Sequence, residues 1–179
     1  NHSSAASDVY KRQDTTEAQY METIQSKTAI LFEAATQLGA VITKQSRPVE
    51  EALAAYGLHL GTAFQLMDDI MDYTADAEAM GKNVGDDLAE GKPTLPLINA
   101  IERSSPEDRA VLTDAITNAN RDNLAAVLRI IESTGSLAYT ARKAHEQAQL
   151  AQQALDVLPD SDYKSALFKL AAFSVDRAF

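Results

Sequence analysis

The residues most able to do chemistry lie between positions 61 and 72. Gly61, Gln65, Asp68 and Asp72 follow one another at intervals of four, three and four. On a helix that spacing draws one line along the surface, with Asp69 flanking it. Like charges at such spacings destabilise a helix by about a few tenths of a kcal/mol each in water, and by more when partly buried. The C-terminal end of a helix is also the wrong pole for negative charge. A hard divalent cation removes both penalties. Magnesium takes few protein carboxylates and completes its octahedron with water and phosphate oxygens. The ordinary account of an acidic triplet is a solvated helix end. Here Met67, Ile70 and Met71 interleave the acids, so one side of the segment must be buried, and a metal role is favoured.

Two further sets point the same way. Lys27 lies three residues after Ile24 and four before Leu31, which places it within an apolar stripe. A buried ammonium without a partner is costly; the alternatives are a snorkelling side chain or a bound anion, for which the adjacent Thr28 offers a hydrogen bond. In the segment GKNVGDDLAEGKPTLP, Lys82 and Lys92 flank Asp86 and Asp87. Lysine is a compact charge suited to phosphate, and glycine allows close backbone approach. The GxxxxGK[ST] order of a P-loop is absent. An acid cluster, lone cations and a glycine-containing loop together indicate a metal-diphosphate site.

The elements that must position these residues read as helices. Residues 1–14 lack periodicity and are expected to form a disordered leader. A first helix is expected over about residues 16–38, with Tyr20, Ile24, Leu31, Ala35 and Leu38 as its buried stripe and Gly39 as its stop; a short helical piece at 40–44 follows. A second helix starts near Pro48 and runs to about Tyr73, with Leu53, Tyr56, Leu60, Phe64, Met67 and Met71 facing the core. Residues 74–96 read as a long ordered loop with a turn of helix, a length often tied to function. Helix resumes from Leu95 to Glu102. Ser104-Ser105-Pro106-Glu107 starts the next. Helices near 123–134 and 136–157 are split by Gly135, and 161–178 closes the chain. No strand period appears, so the fold class is all-α, a helical bundle.

Composition sets outer bounds. The 179 residues carry a net charge of −10 and no cysteine. The negative charge disfavours nucleic acid and anionic lipid as bulk partners. The lack of cysteine excludes disulfides, zinc-thiolate sites and thiol nucleophiles and fits a reducing, cytoplasmic setting. No apolar run reaches the ~18–20 residues of a membrane span. His59, near the core stripe, reads as a packed histidine, and His145, beside Arg142, Lys143 and Glu146, as part of a solvated face. Met67 and Met71 read as core fillers.

The stretch from Gly61 to Asp72, GTAFQLMDDIMD, resembles the second aspartate-rich motif of the trans-isoprenyl diphosphate synthases. The loop from Gly81 to Pro96 is similar to the one that follows that motif, and Lys27-Thr28-Ala29 is similar to the upstream Lys-Thr pair. The loop wording is most similar to bacterial synthases of the octaprenyl type, which supply the quinone side chain. The resemblance spans roughly residues 15–179 and implies part of an isoprenoid-synthase bundle. It implies a prenyltransferase condensing isopentenyl diphosphate with an allylic prenyl diphosphate, and a homodimer when full length. Asp68, Asp69 and Asp72 would hold Mg2+. Lys27, Gln65 and Lys82 would form the catalytic set, and Lys27, Thr28, Phe64, Gln65, Lys82 and Lys92 would line the substrate. The family's first aspartate-rich motif has no counterpart here, so a C-terminal half is expected, with little or no turnover alone. The alternative is a non-catalytic helical subunit that modulates a complete partner. A terpene cyclase shares the metal-diphosphate chemistry, but its usual second motif is differently composed.

Overall fold

The structure, a computed structural model, describes residues 14–74, 84–119 and 122–176. The expected leader, apart from Asp14, and the Gly81-Lys82 pair lie outside the described residues. All regular structure among the described residues is helical: α1 (Glu17–Ile24), a π-helical turn (Gln25–Ala29), α2 (Ile30–Ile42), α3 (Arg47–Met71), α4 (Asp86–Ala89), α5 (Leu95–Arg103), α6 (Pro106–Asn118), α7 (Leu124–Ser133), α8 (Ser136–Ala154) and α9 (Asp162–Val175).

The starts follow local chemistry. Thr16 and Gln19 form a reciprocal capping box at α1: the Gln19 amide donates to Thr16 Oγ1 at 3.3 Å and the Thr16 amide to Gln19 Oε1 at 2.9 Å. Ser105 caps α6 by accepting from the Asp108 amide at 3.2 Å, with Pro106 at the first helical position. Ser161 caps α9 in the same way, accepting from the Lys164 amide at 3.1 Å. Gly135, at φ 67°, separates α7 from α8.

The first expected helix differs in two ways. Gly39 does not end it. The chain stays helical to Ile42, and the stop is Lys44, whose φ is 53°. The Gln45 amide donates to Ala40 O at 3.0 Å and the Lys44 amide to Val41 O at 3.1 Å, the bond pair of a Schellman motif. The second difference is the π turn. It inserts an extra residue into the helical phase, so the buried face after Ile24 resumes at Ala29 and continues to Ala40. Leu31, expected inside, is 69% exposed, and Leu38 is 54% exposed. Ala35 is exposed too.

The described residues fall into two compact units, drawn from Asn1–Tyr20 with Asp68–Thr140 and from Met21–Met67 with Ala141–Phe179. The first has a core of Tyr73, Leu88, Leu97, Leu112, Ile116 and Ile130 with their neighbours, where α5, α6 and α7 pack on one another. The second centres on Tyr56, Leu60, Ala151, Leu155 and Ala171. The Tyr56 hydroxyl donates to Leu167 O at 2.9 Å, and burial pushes it up to about 12. In the second unit α3 lies very close to α2 and the π turn. A Cβ on Gly57 would meet Phe32 O at 2.4 Å, and one on Gly61 would meet Ala29 Cα at 2.7 Å.

Candidate active site

Within the second unit, the close approach at Gly57 and Gly61 sets the π turn directly against α3. Thr28 sits on that turn and donates to Gln65 Oε1 at 3.1 Å. This fixes the amide: its carbonyl is engaged by Thr28, and Nε2 is the end suited to an anionic oxygen. Phe64 stacks against Phe32, with ring centroids 5.8 Å apart at 36°. That contact leaves Phe64 37% exposed rather than in the core, where the stripe had placed it. Lys27 is also exposed. The π turn carries it off the apolar stripe that sequence spacing assigned to it.

From Leu60 to Tyr73 every residue is buried except Phe64, Gln65 and Asp68. The open strip of α3 is therefore an aromatic ring, an amide and a carboxylate at helical spacing. Met67 and Met71 are core fillers, 1% and 6% exposed.

Within the first unit the three aspartates take different partners. Asp69 is 2% exposed and accepts a hydrogen bond from the Tyr20 hydroxyl. Asp72 is 4% exposed. Its Oδ1 accepts from the Asp86 amide and its Oδ2 from the Asp87 amide, both at 3.1 Å. Asp68 is half-buried. Among the described residues no group of three or more carboxylates or imidazoles converges closely enough to hold a metal. A phenol and two helix-end amides balance two of the charges that sequence reasoning had given to a cation.

The loop residue Lys92 is likewise engaged. Its Nζ lies 3.1 Å from Asp87 Oδ1 and 2.6 Å from Glu90 Oε2. Burial opposes its charge, but the hydrogen bonds to Glu90 and Asp87 outweigh that and raise its pKa. Its charge meets two carboxylates of its own segment before any substrate. Tyr73 is buried beneath these acids. Burial pushes its hydroxyl well above the usual value, and nearby Asp72, Asp87 and Asp69 push the same way. The neighbouring Thr94 hydroxyl offsets this in part; among the described residues neither hydroxyl meets the geometry of a full hydrogen bond. Lys82 lies outside the described residues. His59 is packed as expected, its Nδ1 at 2.8 Å from Gln147 Oε1, and His145 is exposed.

Sequence reasoning missed Tyr20 and Glu90. A tyrosine on an apolar stripe carries a hydroxyl that needs a partner, and Asp69, set between Asp68 and the apolar Ile70, needs a donor. That mutual need was a usable signal. Glu90, two residues before Lys92, gave none beyond its charge.

The sequence pattern of the polyprenyl synthetase family matches residues 3–133. The chain belongs to that family. The match takes in most of the stretch read as a leader. The chain is 48% identical over 167 residues to the octaprenyl diphosphate synthase of Haemophilus influenzae, covering 93% of this chain and 51% of that protein. It is 48% identical over 165 residues to that of Escherichia coli, covering 92% and 51%. It superposes on a polyprenyl synthase from Caulobacter crescentus, solved with calcium and isoprenyl diphosphate, at 40% identity and a TM-score of 0.89; the match covers 98% of this chain and 56% of that one. A decaprenyl diphosphate synthase from Rhodobacter capsulatus gives 34% identity and a TM-score of 0.88, covering 98% and 56%. This chain spans about half the length of the curated relatives it matches. No helix among the described residues is long and apolar enough to cross a membrane.

Proposed function

We propose that this polyprenyl synthetase chain supplies the diphosphate-leaving half of a prenyltransferase that extends an allylic prenyl diphosphate with isopentenyl diphosphate. The observation that carries this reading is the open strip of α3, where Gln65 and Asp68 alone among the polar residues from 62 to 72 escape full burial. A hard oxygen ligand and an oriented amide donor one turn apart fit a cation-diphosphate group. The donor set suits magnesium, which needs only one or two carboxylates when phosphate oxygens and water complete its shell. When bound there, the ion would neutralise charge growing on the departing diphosphate.

The chain's own residues then have distinct tasks. Gln65, its carbonyl held by Thr28, donates from Nε2 to a diphosphate oxygen. Lys27, on the exposed side of the π turn, and Lys82 add positive charge toward the same group. Phe64 offers an apolar edge to the prenyl chain. The allylic C–O bond breaks with its electron pair leaving on the diphosphate. The isopentenyl double bond attacks the cation, and a proton is lost. The high identity to octaprenyl synthases supports a long-chain product that serves as a quinone side chain, in the cytoplasm, from a homodimer of the full-length protein.

The test mixes this chain with the complementary half of the Escherichia coli relative, Mg2+, farnesyl diphosphate and isopentenyl diphosphate. Long-chain product should appear only on mixing and should fall at least ~100-fold with Asp68→Ala, the scale of removing one such electrostatic group. An unchanged rate with Asp68→Ala sinks the assignment.

A further inference from the structure

Asp72 belongs to the acidic motif by sequence, yet both oxygens of its side chain accept hydrogen bonds from main-chain amides. Three successive residues of a segment 13 to 15 positions later close on it. Gly85 N–H donates to its main-chain oxygen at 2.8 Å, and Asp86 and Asp87 N–H donate to the two carboxylate oxygens at 3.1 Å each. These last two amides open α4 and have no partner within that single turn. A carboxylate there also meets the positive end of the peptide dipoles. The geometry needs Gly85: its φ is +79°, and a Cβ would press on Leu124 at 2.7 Å. The other side of the turn is fixed as well, by Leu88 in the core and by the Lys92 amide on Asp87 O at 2.9 Å.

We propose that Asp72 is a positioning residue, the latch that holds the segment Val84–Lys92 against the end of α3, and is not a ligand of the metal. Its importance for the reaction rests on the reading above, because this segment carries Lys92 and continues from Lys82. The latch itself does not depend on that reading. The motif's acids then divide their tasks: Asp68 faces the ion, Asp69 is held by Tyr20, and Asp72 ties down the loop.

The 179-residue chain can be tested directly. Amide exchange is followed by mass spectrometry or NMR, and Mn2+ binding, with inorganic pyrophosphate, by electron paramagnetic resonance. Asp72→Asn keeps one acceptor oxygen and replaces the other with a donor. It should speed exchange at Asp86 and Asp87 by about tenfold or more and leave the α6 amides unchanged. Its Mn2+ affinity should stay within about threefold. Asp68→Asn should do the reverse, losing Mn2+ affinity while those amides stay protected. In the unmodified chain, adding Mg2+ and pyrophosphate should leave the Asp86 and Asp87 amides protected, a measurement that needs no variant to fold. The latch is overturned if Asp72→Asn leaves exchange unchanged, if it abolishes Mn2+ binding as fully as Asp68→Asn, or if metal strips the protection. Loss of protection in Asp72→Asn without Mn2+ binding to any form would keep the latch and refute the metal reading.

Discussion

Gly57 is where two opposed effects of one methyl group can be weighed. Replacing a helix-interior glycine with alanine gains about 1 kcal/mol from intrinsic propensity. At Gly57 the new Cβ would lie 2.3 Å from Thr36 Oγ1, 2.4 Å from Phe32 O and 2.7 Å from Phe32 C. Two of these atoms are backbone and cannot rotate away, so α2 must shift by about 1 Å. Overpacking of this kind costs about 1–3 kcal/mol, and the rigid neighbours put it at the upper end. The Thr36 hydroxyl also donates to Leu53 O at 2.6 Å, a link between α2 and α3 whose loss adds about 1 kcal/mol. Gly57→Ala should therefore lose about 2–3 kcal/mol net, a fall of about 4–12 °C in Tm for a chain of this size. Gly39→Ala is the control. It lies inside α2 with nothing within 4 Å of the new Cβ, so it should gain up to about 1 kcal/mol. Chemical denaturation followed by circular dichroism measures both. If Gly57→Ala matches the parent within about 0.5 kcal/mol, the close crossing of α2 and α3 is not as described.

Tyr20→Phe leaves the buried Asp69 without the phenol's hydrogen bond, so it should cost about 1–3 kcal/mol in denaturation; in a cycle with Asp69→Leu the two losses should add to clearly more than the double variant shows. Thr28→Val frees the Gln65 amide to rotate and should weaken allylic diphosphate binding about tenfold in the reconstituted enzyme, read by calorimetry, with little change in stability. Stability should also decline at high pH: folded Tyr56 resists ionisation up to about 12, whereas the unfolded side chain ionises near 10. The contribution is thus complete below about pH 10 and is lost as pH rises toward 12, which a denaturation series alongside phenolate absorbance will show.

The sequence revealed the long helix α3, the cap-plus-proline start at Ser105 and the break at Gly135, because each rests on local chemistry that needs no partner. It revealed the placement of Gln65 and Asp68 on one line for the same reason. The inward phase of α2 was not legible. A helical period assumes 3.6 residues per turn throughout, and one π turn moves every later residue off the forecast face. Nor were the partners of Asp69 and Asp72 legible. Their charges signalled a need for compensation, but a hydroxyl 49 residues upstream and amides 14 and 15 residues downstream satisfy that need as well as a cation does.

The π turn makes the Thr28–Gln65 contact a matter of counting. Removing one residue from 25–29 would let ordinary α-helix close the gap with every later residue kept on its present face, since the turn absorbs one residue more than an α-helix would. Winding all five residues as α-helix would instead swing everything beyond by about 100°. Leu31, Ala35 and Leu38 would then turn inward on the schedule their spacing suggests, toward the glycine notch of α3, and Thr28 would rotate out of reach of Gln65. The helix keeps the notch and the threonine together only while it stays out of step with itself.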